Sequence, residues 1–143
     1  MTVRILIMGL PGSGKTTFAR QLLDVFHDEG VRVGWLNADI VRKTYDDWDF
    51  SPEGRLRQSL RMRHLADTMD TQCVIADFVC PTKITFDAYD ADTVIWMNTI
   101  SEGRFTDTNA IFEDPPRFDF RLDQYADDST VRKIAGYILR RIK

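Results

Sequence analysis

Residues 5–17 read Ile5-Leu6-Ile7-Met8-Gly9-Leu10-Pro11-Gly12-Ser13-Gly14-Lys15-Thr16-Thr17, and this stretch decides the fold. An apolar, β-branched run beginning at Val3 enters a loop that matches G-x-x-x-x-G-K-[ST] at every fixed position. The match arises by chance about once in a few hundred chains of this size. Gly9, Gly12 and Gly14 permit turns that a Cβ would forbid, so successive backbone N–H groups converge on phosphate oxygens. Lys15 supplies a mobile charge for the β and γ phosphates. The Thr16 hydroxyl is placed to take one Mg²⁺ coordination site, at the positive end of the helix that starts there. A nucleotide triphosphate with Mg²⁺ is the ligand these residue types call for.

Working outward, residues Thr16 to Glu29 carry Phe18, Leu22, Leu23, Val25 and Phe26 on one helical face and stop at Gly30. Val31 to Leu36 reads as a second strand. It delivers Asn37-Ala38-Asp39 to the edge where parallel α/β sheets place ligands. Asp39 there is a candidate general base or acceptor-orienting carboxylate, or else the cap of a short helix over Ile40 to Tyr45. After the acidic, aromatic connection 46–50, Ser51-Pro52-Glu53 opens a helix to about Asp70 as N-cap, first-turn proline and first-turn acid. Arg55 in its first turn is the candidate anion contact, whereas Arg57 and Arg63 read as a solvated face. Arg42 either meets an anionic substrate or pairs with Asp46 and Asp47.

Gln72 to Val79 reads as a third, buried strand that delivers Asp77 after four small or apolar residues, a carboxylate at the position of a magnesium-facing Walker B acid. A turn over Cys80 to Lys83 comes next, with Lys83 placed to point a charge at the ligand edge. Val94 to Met97 is a fourth strand, and residues 98–117 read as a lid or binding loop whose Arg104 is the candidate for phosphate contact. Phe118 to Leu122 is an edge strand, and Asp128 to Ile142 a closing amphipathic helix. Five strands alternating with helices predict a three-layer α/β/α P-loop fold with a five-stranded parallel sheet of order 2-3-1-4-5.

At 143 residues the chain suits a single domain, 1–143, able to bury a core without staples. A net charge of −3 gives no field that would make nucleic acid an obligatory partner. No run approaches the roughly 18 apolar residues of a membrane span, and the apolar start runs into the phosphate loop, not a cleavage site. A cytoplasmic protein is expected, with a homodimer left open. Cys73 and Cys80 have no Cys or His neighbours at zinc spacing and read as small core residues.

The order of segments resembles adenylylsulfate kinase. The resemblance is carried by residues 9–17, Leu36-Asn37-Ala38-Asp39-Ile40-Val41-Arg42, Phe50-Ser51 with Arg55, Phe78-Val79-Cys80-Pro81, Glu113-Asp114-Pro115 and Phe118-Asp119-Phe120-Arg121-Leu122-Asp123. It implies phosphorylation of the ribose 3′-hydroxyl of adenosine 5′-phosphosulfate with ATP and Mg²⁺. Residue by residue it carries over Asp39, Phe50 and Arg55; with the motif reading added, Gly9, Pro11, Gly12, Ser13, Gly14, Lys15, Thr16 and Thr17 hold ATP, and Thr16 and Asp77 organise the metal. Asp39, Arg42, Phe50, Arg55, Val79 and Lys83 face the acceptor, while Lys15, Asp39 and Arg104 serve the chemical step. Several positions depart from the family pattern. Its Asp-Gly-Asp-Asn reads Asn37-Ala38-Asp39-Ile40, the aspartate before the arginine is Gly54, the asparagine downstream is Gln58, and Ile-Ser-Pro-Tyr reads Val79-Cys80-Pro81-Thr82. The lysine-rich lid is replaced by a shorter segment from Ile100 to Phe112. A kinase of the same fold for a nucleoside or nucleotide, or a nucleotide-dependent switch, are the alternatives these departures leave.

Overall fold

The computed structural model describes residues 2–101 and 106–142, and all structural statements refer to these. Strand β1 (Val3–Met8) lies at the centre of a five-stranded sheet. It is flanked by β3 (Cys73–Asp77) and β4 (Thr93–Met97), with β2 (Val33–Asn37) and β5 (Phe120–Leu122) at the edges. All four pairings are parallel and the order is β2-β3-β1-β4-β5, as the strand spacing predicts.

The two-residue period of β1 builds both cores at once. Ile5 and Ile7 face one layer, where Phe18, Leu22 and Phe26 of α1 (Lys15–Asp28) meet Val131, Ile134 and Ile138 of α6 (Asp128–Ile142). Leu6 and Met8 face the other, against Met62 and Ala66 of α3 (Pro52–Thr68) and Phe86 and Tyr89 of α4 (Lys83–Tyr89). The crossover after β1 therefore runs over one face towards β2, and the crossover after β3 runs over the other towards β4. The crevice between the carboxyl ends of β1 and β3 is the switch point at which such sheets bind ligands, and it holds the glycine-rich loop and Asp77.

Some elements differ from their expected form. Helix α2 (Ala38–Tyr45) begins two residues early, because Asn37 caps it through a bond from the Ile40 N–H to Asn37 Oδ1 of 3.1 Å. Asp39 thus sits in a helical first turn. Beyond the expected turn at 80–83 the chain continues into α4, opened by a capping box between Thr82 and Thr85. Within the expected lid, residues Thr106–Ile111 form a short helix, α5. In the N-terminal half of α3 the buried positions are largely polar, with Arg55, Gln58 and Ser59 inside and Leu60 exposed, before Met62 and Ala66 join the core. Ser59 Oγ donates to Thr85 O at 2.6 Å and Gln58 Nε2 to Ala38 O at 3.2 Å, which ties α3 to α4 and α2.

Candidate active site

The loop after β1 leaves no room for side chains at two of its glycines. A Cβ at Gly9 (φ +150°) would collide with the Met97 carbonyl oxygen, and one at Gly14 (φ +97°) with the ring of Tyr125. Gly14 is the left-handed N-cap of α1, so the first amides of that helix open onto the cradle. The Tyr125 hydroxyl donates to Gly12 O at 3.3 Å and Thr99 Oγ1 to Ser13 O at 2.8 Å, which braces the loop from outside. Lys15 Nζ donates to Leu10 O at 3.0 Å, within the loop.

Beneath the loop, Asp77 is only 3% exposed. The Trp35 indole N–H donates to its Oδ2 at 2.6 Å and the Asn37 side-chain amide to its Oδ1 at 3.0 Å, while the Thr16 hydroxyl lies 3.5 Å from Oδ1. Burial pushes the Asp77 carboxyl up to about 6; the bonds from Trp35 and Asn37 and the Lys15 charge pull the other way, and the Asp39 charge adds to the rise. No group of three or more His, Cys, Asp or Glu side chains able to hold a metal occurs among the described residues. One hydroxyl and one carboxylate, both hard oxygen donors, suit Mg²⁺, which usually takes one or two protein ligands and completes its shell with phosphate and water.

A cavity of about 690 Å³ runs from this loop past Thr16, Thr17, Asn37 and Asp77 to Asp39, Phe50, Arg55 and Val79. It adjoins a recess of about 80 Å³ that adds Arg42, Gln58 and Cys80. The walls come from the acidic connection between α2 and α3. The Phe50 ring is approached by two guanidiniums, 4.3 Å from Arg42 and 5.3 Å from Arg55. Arg55 Nε donates to Phe50 O at 2.8 Å and its Nη2 to Thr108 Oγ1 at 3.3 Å. Arg42 Nη1 donates to the backbone carbonyls of Asp47 and Asp49 at 3.0 and 3.3 Å. Arg42 therefore bonds two backbone carbonyls of the connection while also lining the recess. Burial lowers the Arg42 pKa, with the Asp47 charge opposing. Outside, Arg57 clamps Asp47 at 2.8 Å and Asp49 at 3.0 Å, and Arg61 meets Asp47 at 3.1 Å. The Arg57 bond holds the Asp47 carboxyl well below its ordinary range.

The structure thus brings Lys15, Thr16, Thr17, Asp39, Phe50, Arg55, Asp77 and Val79 to one cavity, with Arg42 in its recess. Lys83 is not among them: its ammonium pairs with Asp87 one turn along α4, at 2.6 Å on an exposed face. Arg104 lies outside the described residues. Cys73 and Cys80 are buried, and burial pushes each thiol up to about 12, in keeping with core residues. Sequence reasoning passed over Trp35, Trp48, Thr108 and Tyr125, all of which touch the site. Trp35 reaches the site through the β2–β3 register: Asn37 lies opposite Asp77, and residue 35 shares the face of residue 37.

Comparison with known proteins places this geometry. The sequence model of adenylylsulphate kinase matches residues 1–91, well over half of the chain's 143 residues. The chain belongs to the adenylylsulphate kinase family. A probable adenylyl-sulfate kinase of Aeropyrum pernix is 41% identical over 80 residues, which are 54% of this chain and 44% of that protein. The chain therefore aligns with less than half the length of this relative. Among solved structures, the APS kinase of Mycobacterium tuberculosis in complex with AMPPNP and APS superposes with a TM-score of 0.78 at 18% identity, covering 96% of this chain and 98% of that one. Shikimate kinase from Acinetobacter baumannii shares the fold at a TM-score of 0.59 and 16% identity, with 99% and 93% covered. These structural likenesses establish the P-loop kinase fold, and the sequence match supplies the family. No helix among the described residues is long and apolar enough to cross a membrane.

Proposed function

We propose that this chain is an ATP-dependent kinase that transfers the γ-phosphoryl group of Mg-ATP to the 3′-hydroxyl of adenosine 5′-phosphosulfate, a step of sulfate assimilation. The observation that carries the reading is the single cavity that joins the phosphate loop to Asp39, Phe50 and Arg55. Donor and acceptor can meet there in line, and phosphoryl transfer depends chiefly on such positioning and on charge neutralisation. The loop amides and Lys15 hold the β and γ phosphates. Thr16 and Asp77 would hold Mg²⁺, which spreads the charge that develops on the transferred group. Asp39, exposed at the start of α2, accepts or orients the acceptor hydroxyl proton. Phe50, held by Arg42 and Arg55, and Val79 line the acceptor end of the cavity. Arg104 keeps the role of a charge donor to the transition state. The protein works in the cytoplasm on a small anionic nucleotide, with no membrane or obligatory nucleic-acid partner.

One observation favours a second acceptor class. The recess is lined in part by Gln58 and Cys80, where the family pattern has asparagine and serine, so a nucleoside or nucleotide acceptor is the runner-up. The deciding experiment measures ADP formation from Mg-ATP with adenosine 5′-phosphosulfate beside a panel of nucleosides and nucleotides, with Lys15→Ala as control. Turnover of about 1 to 100 per second with adenosine 5′-phosphosulfate alone supports the assignment. Turnover only with another acceptor moves it to the runner-up, and slow hydrolysis indifferent to every acceptor moves it to a nucleotide switch.

A further inference from the structure

Trp35 has no part in the roles above, yet it makes the shortest hydrogen bond to the buried carboxylate under the loop, 2.6 Å from indole Nε1 to Asp77 Oδ2. We propose that Trp35 is a positioning residue for the Mg²⁺ site, its indole N–H tethering Asp77 Oδ2 so that Oδ1 alone faces Thr16. The inference rests on the Mg-nucleotide reading of the cavity.

The tether is a product of strand geometry. In the parallel register Asn37 lies opposite Asp77, and Trp35 opposite Ile75. Side chains two apart on a strand share a face, so Trp35 and Asn37 both project over the end of β3. The large indole spans the diagonal that a smaller side chain would leave open. Its N–H can only donate, so it fixes Oδ2 as an acceptor and nothing else. Oδ1 takes the Asn37 amide at 3.0 Å and faces the Thr16 hydroxyl at 3.5 Å. Asn37 Nδ2 also reaches Thr16 Oγ1 at 3.3 Å, so the three groups form one connected set. The ring itself is held between the apolar core and the Arg20 guanidinium, 5.8 Å from its centroid. Mg²⁺ tolerates little departure from octahedral geometry. A carboxylate presented by one fixed oxygen meets that demand, whereas a carboxylate free to rotate would have to be ordered when the ion binds.

The test is ADP binding by calorimetry across a range of Mg²⁺ concentrations, with wild type, Trp35→Phe, Asp77→Asn and the double variant. Phenylalanine keeps the aromatic packing and lacks the N–H. Partners of metal ligands typically contribute about 10- to 100-fold to metal affinity. Trp35→Phe is therefore expected to raise the Mg²⁺ concentration needed for tight ADP binding by about tenfold or more, to leave Mg²⁺-free ADP affinity unchanged, and to add nothing in the Asp77→Asn background. A second measurement needs no variant at position 35. In ¹⁵N-indole spectra of the three tryptophans, with Trp48 and Trp96 assigned through their own phenylalanine variants, the Trp35 N–H signal is expected to move when Mg²⁺ joins the ADP complex. An unchanged Mg²⁺ dependence, an equal loss with and without Mg²⁺, a further loss in the double variant, or a Trp35 signal that ignores Mg²⁺ overturns the proposal. Wild-type ADP binding that is itself independent of Mg²⁺ removes the parent reading and this inference together. If Trp35→Phe does not fold, the indole spectrum decides.

Discussion

Replacing Gly54 by alanine adds one methyl group in the first turn of α3, where alanine is ordinarily favoured over glycine by about 1 kcal/mol. Here the space is taken. A Cβ at position 54 would overlap the carbonyl oxygen and the carboxyl carbon of Asp49 and lie 2.7 Å from its backbone carbon. The backbone of Asp49 can yield only if the whole connection 46–51 lifts. That movement strains the Arg42 bond to Asp49 O at 3.3 Å, the Arg57 pair with Asp49 at 3.0 Å and the Arg55 bond to Phe50 O at 2.8 Å. Overpacking of this kind costs about 1–3 kcal/mol. Losing one hydrogen bond to a charged group adds about 1.5–3 kcal/mol. Set against the propensity gain, a net destabilisation of about 1.5–5 kcal/mol is expected from urea unfolding of Gly54→Ala. Because Phe50 and Arg55 line one end of the cavity and the phosphate loop the other, the acceptor KM should rise while ADP affinity stays near wild type. A variant as stable as wild type, or more stable, would refute this account of how the connection is anchored.

Three further outcomes are expected. Asp39→Asn should lower kcat by about 10²- to 10⁴-fold with ADP affinity retained, as read by steady-state kinetics beside calorimetry; a loss of ADP affinity of the same size would put Asp39 in the nucleotide site. Gly14→Ala should cost about 1–3 kcal/mol through its left-handed backbone, and Tyr125→Ser should not rescue that part, since it relieves only the ring contact; full rescue in thermal unfolding would contradict the backbone argument. The Asp77 carboxyl, raised by burial from 3.8 to about 6, penalises the metal-free fold when ionised. The penalty, roughly 3 kcal/mol, is complete above pH 6 and fades as pH falls through 6 towards 3.8. Metal-free wild type should therefore gain stability relative to Asp77→Asn between pH 8 and 4, and a difference independent of pH would count against the assignment.

The sheet order was legible because each strand is either a continuous apolar run or is fixed by a neighbouring motif. Ile5 to Met8 and Val94 to Met97 allow no other reading once the glycine-rich loop commits the chain to a helix after β1. Helix α4 was hidden by its length. Seven residues with Phe86 and Tyr89 inward and Ile84 exposed show no clear period, and only the Thr82–Thr85 cap marks the start. The phosphate end of the site was legible because its residue types are dictated by local backbone and phosphate chemistry. The acceptor end was less so, because its side chains are set by contacts across sequence. Arg55 read as an anion contact, and Arg42 as an anion contact or a partner of Asp46 and Asp47; the sequence does not show that both also hold Phe50. Gly54 departs from the family's aspartate, and the structure supplies a physical reason: the Asp49 carboxyl group already fills the volume a side chain at 54 would need. Trp35 looked like one more strand residue, since nothing local in Val33-Gly34-Trp35-Leu36 announces a carboxylate one strand away.

The central claim is that phosphate moves from ATP to an acceptor hydroxyl in this cavity. Its most direct test is the fate of ³²P from [γ-³²P]ATP incubated with the protein, Mg²⁺ and adenosine 5′-phosphosulfate, with products separated by chromatography. Label is expected on the 3′-position of the acceptor, with loss of that product in Lys15→Ala and Asp39→Asn. Label found only as inorganic phosphate, in the same amount with and without acceptor, would contradict the claim and leave a nucleotide hydrolase on a kinase fold.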